Sequence, residues 1–212
     1  MANPSTINWV ASDDQAICLA QSLADAGFLA INGHLVDKKQ SYNPFYEGIG
    51  VERVVTLTAG GSNLSNVNFT ITGEWRGQEQ WQTIIGPNVA QTVSTTLLFD
   101  KVLSIYADDQ AIDVSAGLGN SGSTVWQMTN TFATPFQVGI LTTTTGTVNY
   151  TFQITFDNPL QVQSPVLYSD SEWENLSGGV LLELSLPVRA YRLLVNNETT
   201  GSIIFSSQQP GI

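Results

Sequence analysis

The sequence contains very few residues of the types on which most catalytic and metal sites depend. It has one cysteine, Cys18, and one histidine, His34. A single cysteine cannot form an intrachain disulfide, and the apolar stretch around Cys18 indicates a buried small side chain rather than a reactive thiol. One cysteine and one histidine cannot supply the three or four ligands of a typical zinc site. We therefore expect the chain to hold no metal and no cofactor.

Charged residues are also scarce, at 12% of the 212 residues, and acidic ones dominate: 18 Asp and Glu against 7 Lys and Arg give a net charge of −11. Nucleic-acid binding depends on Lys and Arg that neutralise phosphates, so this balance argues against a nucleic-acid partner. No apolar run approaches the ~20 residues of a membrane-spanning helix, and the first residues lack the basic and apolar regions of a secretory signal. We expect no membrane partner, and a protein that stays in a cytoplasm or leaves it by lysis.

Sequence fingerprints of catalysis are missing as well. There is no Gly-x-Ser-x-Gly elbow, no P-loop and no dinucleotide fingerprint, and the position of His34 after Asn32-Gly33 favours a strand surface over a catalytic base. Asp108, Asp109 and Asp113 are the best candidates for a calcium site, although a solvated turn explains them more simply. Two carboxylates across a cleft could hydrolyse glycosides, but nothing in the sequence brings such a pair together. We predict that the chain is not an enzyme.

Short segments in which apolar and polar residues alternate are what the sequence has in abundance. Residues 148–156 alternate without a slip, which is typical of a strand with one buried face. Further short strands follow one another between residues 54 and 115, separated by Gly, Pro and Asn. A strand that begins with a proline is predicted at 187–195, and a last strand follows it at 201–205. This spacing predicts an all-β fold of two antiparallel β-sandwich or jelly-roll-like modules, with an N-terminal arm and hairpin.

The segment 13–26 is ambiguous. Ser12-Asp13-Asp14-Gln15 resembles a helix capping box, and apolar residues follow it at helical spacing. Directly afterwards, residues 28–31, Asn32-Gly33 and residues 34–36 carry a strong signal for a two-residue β-hairpin. We predict the hairpin, and leave helix and strand open for the segment before it.

The glycine-rich hexamer at residues 117–122 predicts a flexible boundary between two sets of strands. The predicted organisation is therefore an N-terminal arm, hairpin and linker at residues 1–50, a first β-sandwich module at 51–116 and a second one at 123–212.

Several of these segments, taken in order, carry a resemblance to a known group of proteins. They are residues 29–33, 67–73, 86–88, 147–153, 187–193 and the terminal Gln-Gln-Pro-Gly. Over nearly the whole chain they resemble tailed-bacteriophage virion structural proteins, and in particular the β-rich capsid decoration, or cement, proteins. The resemblance implies a fold rich in strands and a symmetric oligomer, typically a trimer, on the capsid shell. It also favours extended structure for the segment before Gly27.

The function expected from this resemblance is structural. The chain would bind the outer capsid surface as a symmetric homo-oligomer, with a trimer favoured, and would stabilise the shell of a virion assembled in the host cytoplasm. Its partner would be the major capsid protein. The alternative is a head–tail connector, or a tail or fibre component that binds host-surface glycan through tryptophan and tyrosine rings.

Aromatic and apolar side chains in otherwise polar segments are the candidate contacts for such an interface, because tryptophan and tyrosine are common interface anchors. The N-terminal arm, with its side chains expected to be exposed, is the candidate for gripping a neighbouring subunit. The linker after the predicted hairpin and the acidic loop around residue 173 add further aromatic residues. The predicted interface residues are Ile7, Trp9, Val10, Tyr42, Phe45, Tyr46 and Trp173.

Overall fold

The computed structural model describes residues 5–35, 51–132, 136–161, 165–198 and 201–209. The regular structure of these residues is β-strand apart from one 3-10 turn, Ser171–Trp173, which confirms the prediction of an all-β fold. No helix within these ranges is long and apolar enough to cross a membrane. The chain divides into two compact units: unit 1 comprises Met1–Ala11 and Ser121–Ile212, and unit 2 comprises Ser12–Asn120.

The strands are short and follow one another closely along the chain. They are β1 (Ser5–Trp9), β2 (Asp13–Leu23), β3 (Gly27–Phe28), β4 (Val51–Ala59), β5 (Asn68–Trp75), β6 (Gln78–Ile85), β7 (Thr92–Phe99), β8 (Lys101–Ala107), β9 (Ala111–Thr124), β10 (Gln127–Met128), β11 (Val138–Thr145), β12 (Val148–Thr155), β13 (Leu181–Leu184), β14 (Ala190–Glu198) and β15 (Ser202–Gln208).

Unit 2 contains two antiparallel sheets. One has the strand order β3-β8-β5-β6, and the other contains β9, β4 and β7 in that order, with β2 paired to β9. Period-2 alternation directs Phe69 and Ile71 of β5 and Ile105 of β8 inward, where all three are fully buried. They belong to the same core cluster as Val55 and Leu57 of β4.

The β5–β6 hairpin has a two-residue loop, Arg76-Gly77, between the paired residues Trp75 and Gln78. Both loop residues have positive φ, 52° for Arg76 and 72° for Gly77, as a type I′ turn requires. Glycine adopts this conformation freely and arginine does not, so contacts elsewhere must hold Arg76 in place.

The side chain of Gln82 links β6, at the edge of its sheet, to β7, at the edge of the other. Its Oε1 accepts hydrogen bonds from the backbone N–H of Thr96 at 3.0 Å and of Leu97 at 2.9 Å. Its Nε2 donates to Oγ1 of Thr96 at 3.0 Å. Edge backbone groups that would otherwise be open to another chain are thereby satisfied inside unit 2.

Unit 1 is also built from two antiparallel sheets. One has the order β1-β15-β11-β13; in the other, β14 pairs with β10, with β12 and with the last residues of β9. Aromatic rings pack between them: Tyr191 lies 6.0 Å from Phe205 and 5.9 Å from Phe152, measured between ring centroids. A hydrogen bond of 2.7 Å between the hydroxyls of Tyr150 and Thr142 also joins the two sheets.

The predicted hairpin at residues 28–36 is wrong. β3 ends at Phe28 and pairs with β8, and no strand is present from residue 29 to residue 35. Instead, Gly33 N–H donates to the carbonyl of Ile17 at 2.8 Å, and Leu35 N–H donates to that of Ala16 at 3.0 Å. A Cβ on Gly33 would lie 2.4 Å from the carbonyl carbon of Ala16, so this glycine permits close backbone contact rather than a turn. Residue 36 lies outside the described residues.

The ambiguous segment at 13–26 is extended, because β2 occupies most of it. The hexamer 117–122, predicted to be a flexible linker, lies entirely within β9. Its glycines serve close packing: a Cβ on Gly117 would lie 1.9 Å from the carbonyl oxygen of Asp13, and one on Gly119 would lie 2.3 Å from Cγ2 of Val54. The two units divide within the hexamer, after Asn120, and the predicted piece at 1–50 is split between them after Ala11.

Candidate functional site

The described part of the N-terminal arm, predicted to be exposed, is instead part of the core of unit 1. Ile7 and Trp9 lie on β1 opposite Phe205 and Ile203 of β15, and their side chains are only 5% and 2% exposed. Val10, which follows the strand, is half-buried. Ile7 and Trp9 are two residues apart, which is the spacing of side chains on one face of a strand. This spacing indicates a buried face rather than an exposed contact surface.

Trp173, predicted to be an exposed anchor, is half-buried. Its ring lies 5.6 Å from that of the fully buried Phe152, at an interplanar angle of 83°, so it covers the core of unit 1. Tyr42, Phe45 and Tyr46 lie outside the described residues, and their interface role stays a prediction.

The remaining tryptophans do not provide free rings for stacking on sugars, with one exception. Trp75 donates from Nε1 to Glu52 at 2.9 Å, and the Arg76 guanidinium lies 4.4 Å from the centroid of its ring. Trp126 is 8% exposed and has the Arg192 guanidinium 4.6 Å from its ring centroid. Only Trp81, at 67% exposure, presents an open ring among these three.

Trp81 belongs to an apolar surface that we call the aromatic strip of unit 2: Phe28, Trp81, Ile85 and Tyr106. Strand pairing places them on the outer face of one sheet. Phe28 is directly opposite Tyr106, and their ring centroids are 5.1 Å apart. Tyr106 is followed across the sheet by Thr70 and Thr83, and Trp81 and Ile85 lie two residues to either side of Thr83. Alternation would have assigned Trp81 and Ile85 to a buried face, so their exposure could not be read from the sequence.

Unit 1 has a smaller apolar surface on the outer face of the sheet that contains β11. Leu181 is 75% exposed, Leu141 is 50% exposed and Ile204 is 46% exposed. Leu141 and Leu181 are direct neighbours across β11 and β13. Ile204 pairs with Thr143, so the apolar side chains are interspersed with hydroxyls.

A buried ion pair fixes the β5–β6 turn in unit 2. Glu52 is fully buried, and its carboxylate accepts from Arg76 Nε at 2.7 Å as well as from the Trp75 ring. The backbone N–H of Arg76 donates to Asp100 Oδ2 at 2.5 Å, and these contacts hold Arg76 at its positive φ. Burial raises the pKa of Asp100, and the negative charges of Glu52 and Glu74 raise it further, against the lowering effect of the Arg76 N–H. This cluster has a structural role.

The predicted calcium candidates form ordinary turn contacts. Asp108 accepts from the side chain and the backbone of Asn68 at 2.7 and 2.8 Å, and these hydrogen bonds lower its pKa. Asp113 accepts from the backbone N–H of Gly61 at 2.9 Å. Within the described residues, no group of three or more His, Cys, Asp or Glu side chains could hold a metal ion.

Among the described residues, neither the single cysteine nor the single histidine is part of a catalytic arrangement. Cys18 is fully buried, which confirms the prediction of a buried small side chain, and burial raises the pKa of its thiol to about 12. The Nδ1–H of His34 donates to Asp13 Oδ2 at 2.9 Å. No hydroxyl or thiol is among the described partners of its ring, so a catalytic triad is not assembled there.

A polar cleft of about 570 Å³ opens on unit 2. It lies where β4, β7 and β9 run side by side, next to the start of β2, and its lining is composed mainly of hydroxyl, carboxylate and amide side chains. The lining residues are Ser12, Asp13, Asp14, Thr56, Thr92, Ser94, Leu118, Gly119 and Asn120. Sequence analysis missed this cleft because its walls come from four segments that only strand pairing brings together.

The cleft has a buried hydroxyl without a partner in its lining and a backbone carbonyl held by a buried arginine in its floor. The hydroxyl oxygen of Thr56, a residue that is 7% exposed, is buried and has no hydrogen-bond partner among the described residues. Leaving such a group unpaired costs about 1–3 kcal/mol. Beneath the cleft, Nε of the fully buried Arg53 donates to the carbonyl oxygen of Gly119 at 2.9 Å and so fixes the position of the floor.

Comparison of the chain with protein-family models, with curated proteins and with solved structures finds no match in any of the three.

Proposed function

We propose that this chain is a structural protein of a virion, which binds the outer capsid surface as a symmetric oligomer and stabilises the shell. The proposed partner is the major capsid protein, and this identity is inferred from the sequence resemblance to tailed-phage decoration proteins. The observation that carries the proposal in the fold is the aromatic strip of unit 2, because large apolar side chains side by side on an outer sheet face are typical of surfaces that become buried on assembly.

The composition of the strip supports a protein partner. Its exposed apolar side chains include two aromatic rings in direct contact and one open tryptophan, residue types that are enriched at interface centres. The rows between them carry Thr70 and Thr83, whose hydroxyls are 2.9 Å apart, so the centre of the face is uncharged. A face of this kind buries well against another protein without the cost of desolvating charge.

The first experiment is to count this chain against the major shell protein in purified particles by quantitative mass spectrometry. We expect a ratio near one to one, or a simple fraction of it. A handful of copies per particle would contradict the decoration role in favour of a connector or fibre, and complete absence from particles would end the virion proposal.

A second experiment tests the strip itself. Trp81→Glu places a charge at its most exposed residue, and we expect at least about a tenfold loss of binding to particles that lack the native protein. Leu160→Glu is the matched control, because Leu160 is 77% exposed and lies in unit 1, outside the strip. Equal binding by both variants would remove the strip from the interface.

A further inference from the structure

We infer that the open edge of β13 pairs with β13 of a second copy of this chain, so that the sheet β1-β15-β11-β13 continues across a two-fold axis. The inference deepens the proposed function and rests on it, because it assigns an interface to the proposed symmetric oligomer. It also changes one expectation, since a two-fold contact gives a dimer rather than the trimer that the resemblance implies.

The hydrogen bonds to β11 show which backbone groups of β13 point outward. Val180, the residue before β13, exchanges both backbone hydrogen bonds with Thr142, at 2.9 and 3.2 Å. Because such pairs alternate along an antiparallel ladder, Leu182 also bonds to β11. The N–H and C=O groups of Leu181 and Glu183 therefore point away from β11, and they have no partner among the described residues.

Other strand edges of the molecule are covered from within the chain. The side-chain amide of Gln82 bonds to β7, and the loop residues Tyr168 and Leu176 pair with β12. The segment after β3 covers β2, because Gly33 and Leu35 donate to carbonyls of that strand. In contrast to these edges, the bare edge of β13 is typical of a strand that another chain completes.

The distribution of charge favours contact between two copies at this sheet. The chain carries a net charge of −11, so two copies repel each other unless they meet where charge is sparse. The four strands of this sheet contain one charged residue, Glu183. Its Oε1 accepts from Nε2 of Gln137 at 2.7 Å, which holds the carboxylate toward β11 and away from the open edge. The edge can therefore meet its own copy with little repulsion.

One register satisfies all of the outward groups of β13 at once. With Leu182 opposite Leu182 of the second copy, Leu181 of each copy lies opposite Glu183 of the other, and the two pairs exchange four backbone hydrogen bonds. A register with Glu183 opposite itself would place like charges side by side, which destabilises a strand pair. The first register also covers the half-buried side chain of Leu182 and part of Leu181, which is 75% exposed in the single chain.

The interface is small, because β13 has four residues, and small interfaces are typical of weak association. We expect a dissociation constant of about 10–100 µM. Copies bound side by side on a shell have an effective concentration of about 1 mM, so pairing of this strength is enough to link neighbours there.

The first test is the mass of the full chain in solution, measured by sedimentation equilibrium at concentrations up to about 0.5 mM, above the expected dissociation constant. We expect the mass of one chain in dilute solution and of two chains at the highest concentration. The mass of one chain throughout, or the mass of three chains, would overturn the inference.

Two substitutions at one residue test the backbone hydrogen bonds. Glu183→Pro removes an outward N–H, and the fold should be kept because that N–H makes no bond within the sheet and a sheet edge tolerates proline. We expect dimerisation to weaken at least about tenfold. Glu183→Gln is the matched control, since it removes the charge and keeps the N–H, and it should dimerise at least as tightly as the native chain. Dimerisation of the proline variant at native strength, or equal loss in both variants, would overturn the inference.

Leu182→Cys tests the register without proline. Facing residues of a non-hydrogen-bonded pair have Cα atoms about 4.5 Å apart, which is within the range of a disulfide. With oxidised glutathione as the oxidant, we expect a covalent dimer on a non-reducing gel, and the fully buried Cys18 should not compete.

Leu160→Cys, at a residue of the same unit that is 77% exposed, is the control and should not form the covalent dimer. Equal cross-linking of the two variants, or none of Leu182→Cys, would contradict the assigned register. Failure of the dimer leaves the capsid proposal to its own tests, which are the copy number in particles and the binding of Trp81→Glu.

Discussion

The two units are both antiparallel two-sheet structures, but they differ in the polar groups that they bury. Unit 2 buries Glu52 and Arg53 completely. The buried polar residues described in unit 1 are all serines and threonines. Charge is costly to bury unless it is paired, whereas a hydroxyl needs only one good hydrogen bond. The stability of unit 2 should therefore depend on ionisation, and that of unit 1 should not.

The units also protect their strand edges differently. In unit 2 the side-chain amide of Gln82 bonds to the backbone of β7. In unit 1 the loop after β12 returns to β12 and pairs with it by backbone, Leu176 with Tyr150 and Tyr168 with Ile154. In unit 2, Gln80 of β6 adds a second side-chain bond, from its Nε2 to the carbonyl oxygen of Leu98. The edge of unit 2 is therefore protected by side-chain amides, and that of β12 in unit 1 by the path of the backbone.

Glu52→Gln should have the largest effect, because it removes the charge of a fully buried ion-pair partner. Breaking a buried pair costs about 3–5 kcal/mol, and we expect the lower end because the Arg76 side chain is 21% exposed. The measurement is the free energy of unfolding from amide hydrogen exchange, followed separately in β4–β5 and in β12–β14. Protection should fall in the first pair of strands and not in the second.

Glu74→Gln is the matched control for that variant. Glu74 pairs with Lys101 at 3.1 Å, and both side chains are about one-third exposed, at 32% and 30%. Solvent screening leaves such a pair with less than about 1 kcal/mol. If the two variants lower the stability of unit 2 equally, burial does not explain the contribution of the Glu52 pair to stability.

Tyr150→Phe should have an intermediate effect, confined to unit 1. It deletes the hydroxyl that bonds to Thr142 at 2.7 Å and to the carbonyl oxygen of Gly178 at 2.8 Å, at a cost of about 1–2 kcal/mol. Burial raises the pKa of Tyr150, so the group stays neutral and its contribution should not change from mildly acidic to neutral pH. Tyr168→Phe, at a half-exposed ring in the same unit, is the control and should lower the free energy of unfolding much less. A marked pH dependence of the Tyr150→Phe effect would contradict the expectation that the stability of unit 1 does not depend on ionisation.

Local sequence patterns predict the strands of this chain well but not the use of its glycines. The alternation at residues 148–156 corresponds to β12, which ends at Thr155. Asn32-Gly33 has the chemistry of a hairpin turn, yet Gly33 is required because its backbone lies against Ala16. Close approach between segments far apart in sequence leaves no periodic signal, so the turn was the only use of this glycine that local rules could suggest.

The same limit applies to the candidate site. The cleft takes its lining from residues 12–14, 56, 92–94 and 118–120, and nothing in the sequence places these segments side by side. Its floor lies in the hexamer predicted to be a flexible linker, which shows how local composition can hide a packed strand. By contrast, the burial of Ile7 and Trp9 was accessible, since their alternation with polar neighbours is the signal of a half-buried strand.

Asp100→Asn should change the free energy of unfolding least. The sign of the change shows whether ionisation or the loss of contacts determines the stability of unit 2. The folded state raises the pKa of Asp100, so folding favours the protonated acid. Its contribution to stability is fully present below the unfolded-state pKa and is lost as the pH rises through the folded-state pKa. Asparagine imitates the protonated acid and can still accept from the Arg76 N–H, so the variant should be more stable than the native chain at neutral pH, by less than about 1 kcal/mol because the group is half-exposed.

Asp108→Asn provides the opposite sign in the same unit. Hydrogen bonds from Asn68 lower the pKa of Asp108, so its contribution is present above the unfolded-state pKa and is lost as the pH falls through the folded-state value. This variant should be less stable than the native chain at neutral pH. Both differences should close in acid, below the ordinary pKa of an aspartate, when unfolding is followed by denaturant titration at a series of pH values. Parallel changes in the two variants would mean that lost contacts, rather than ionisation, set the pH dependence of unit 2.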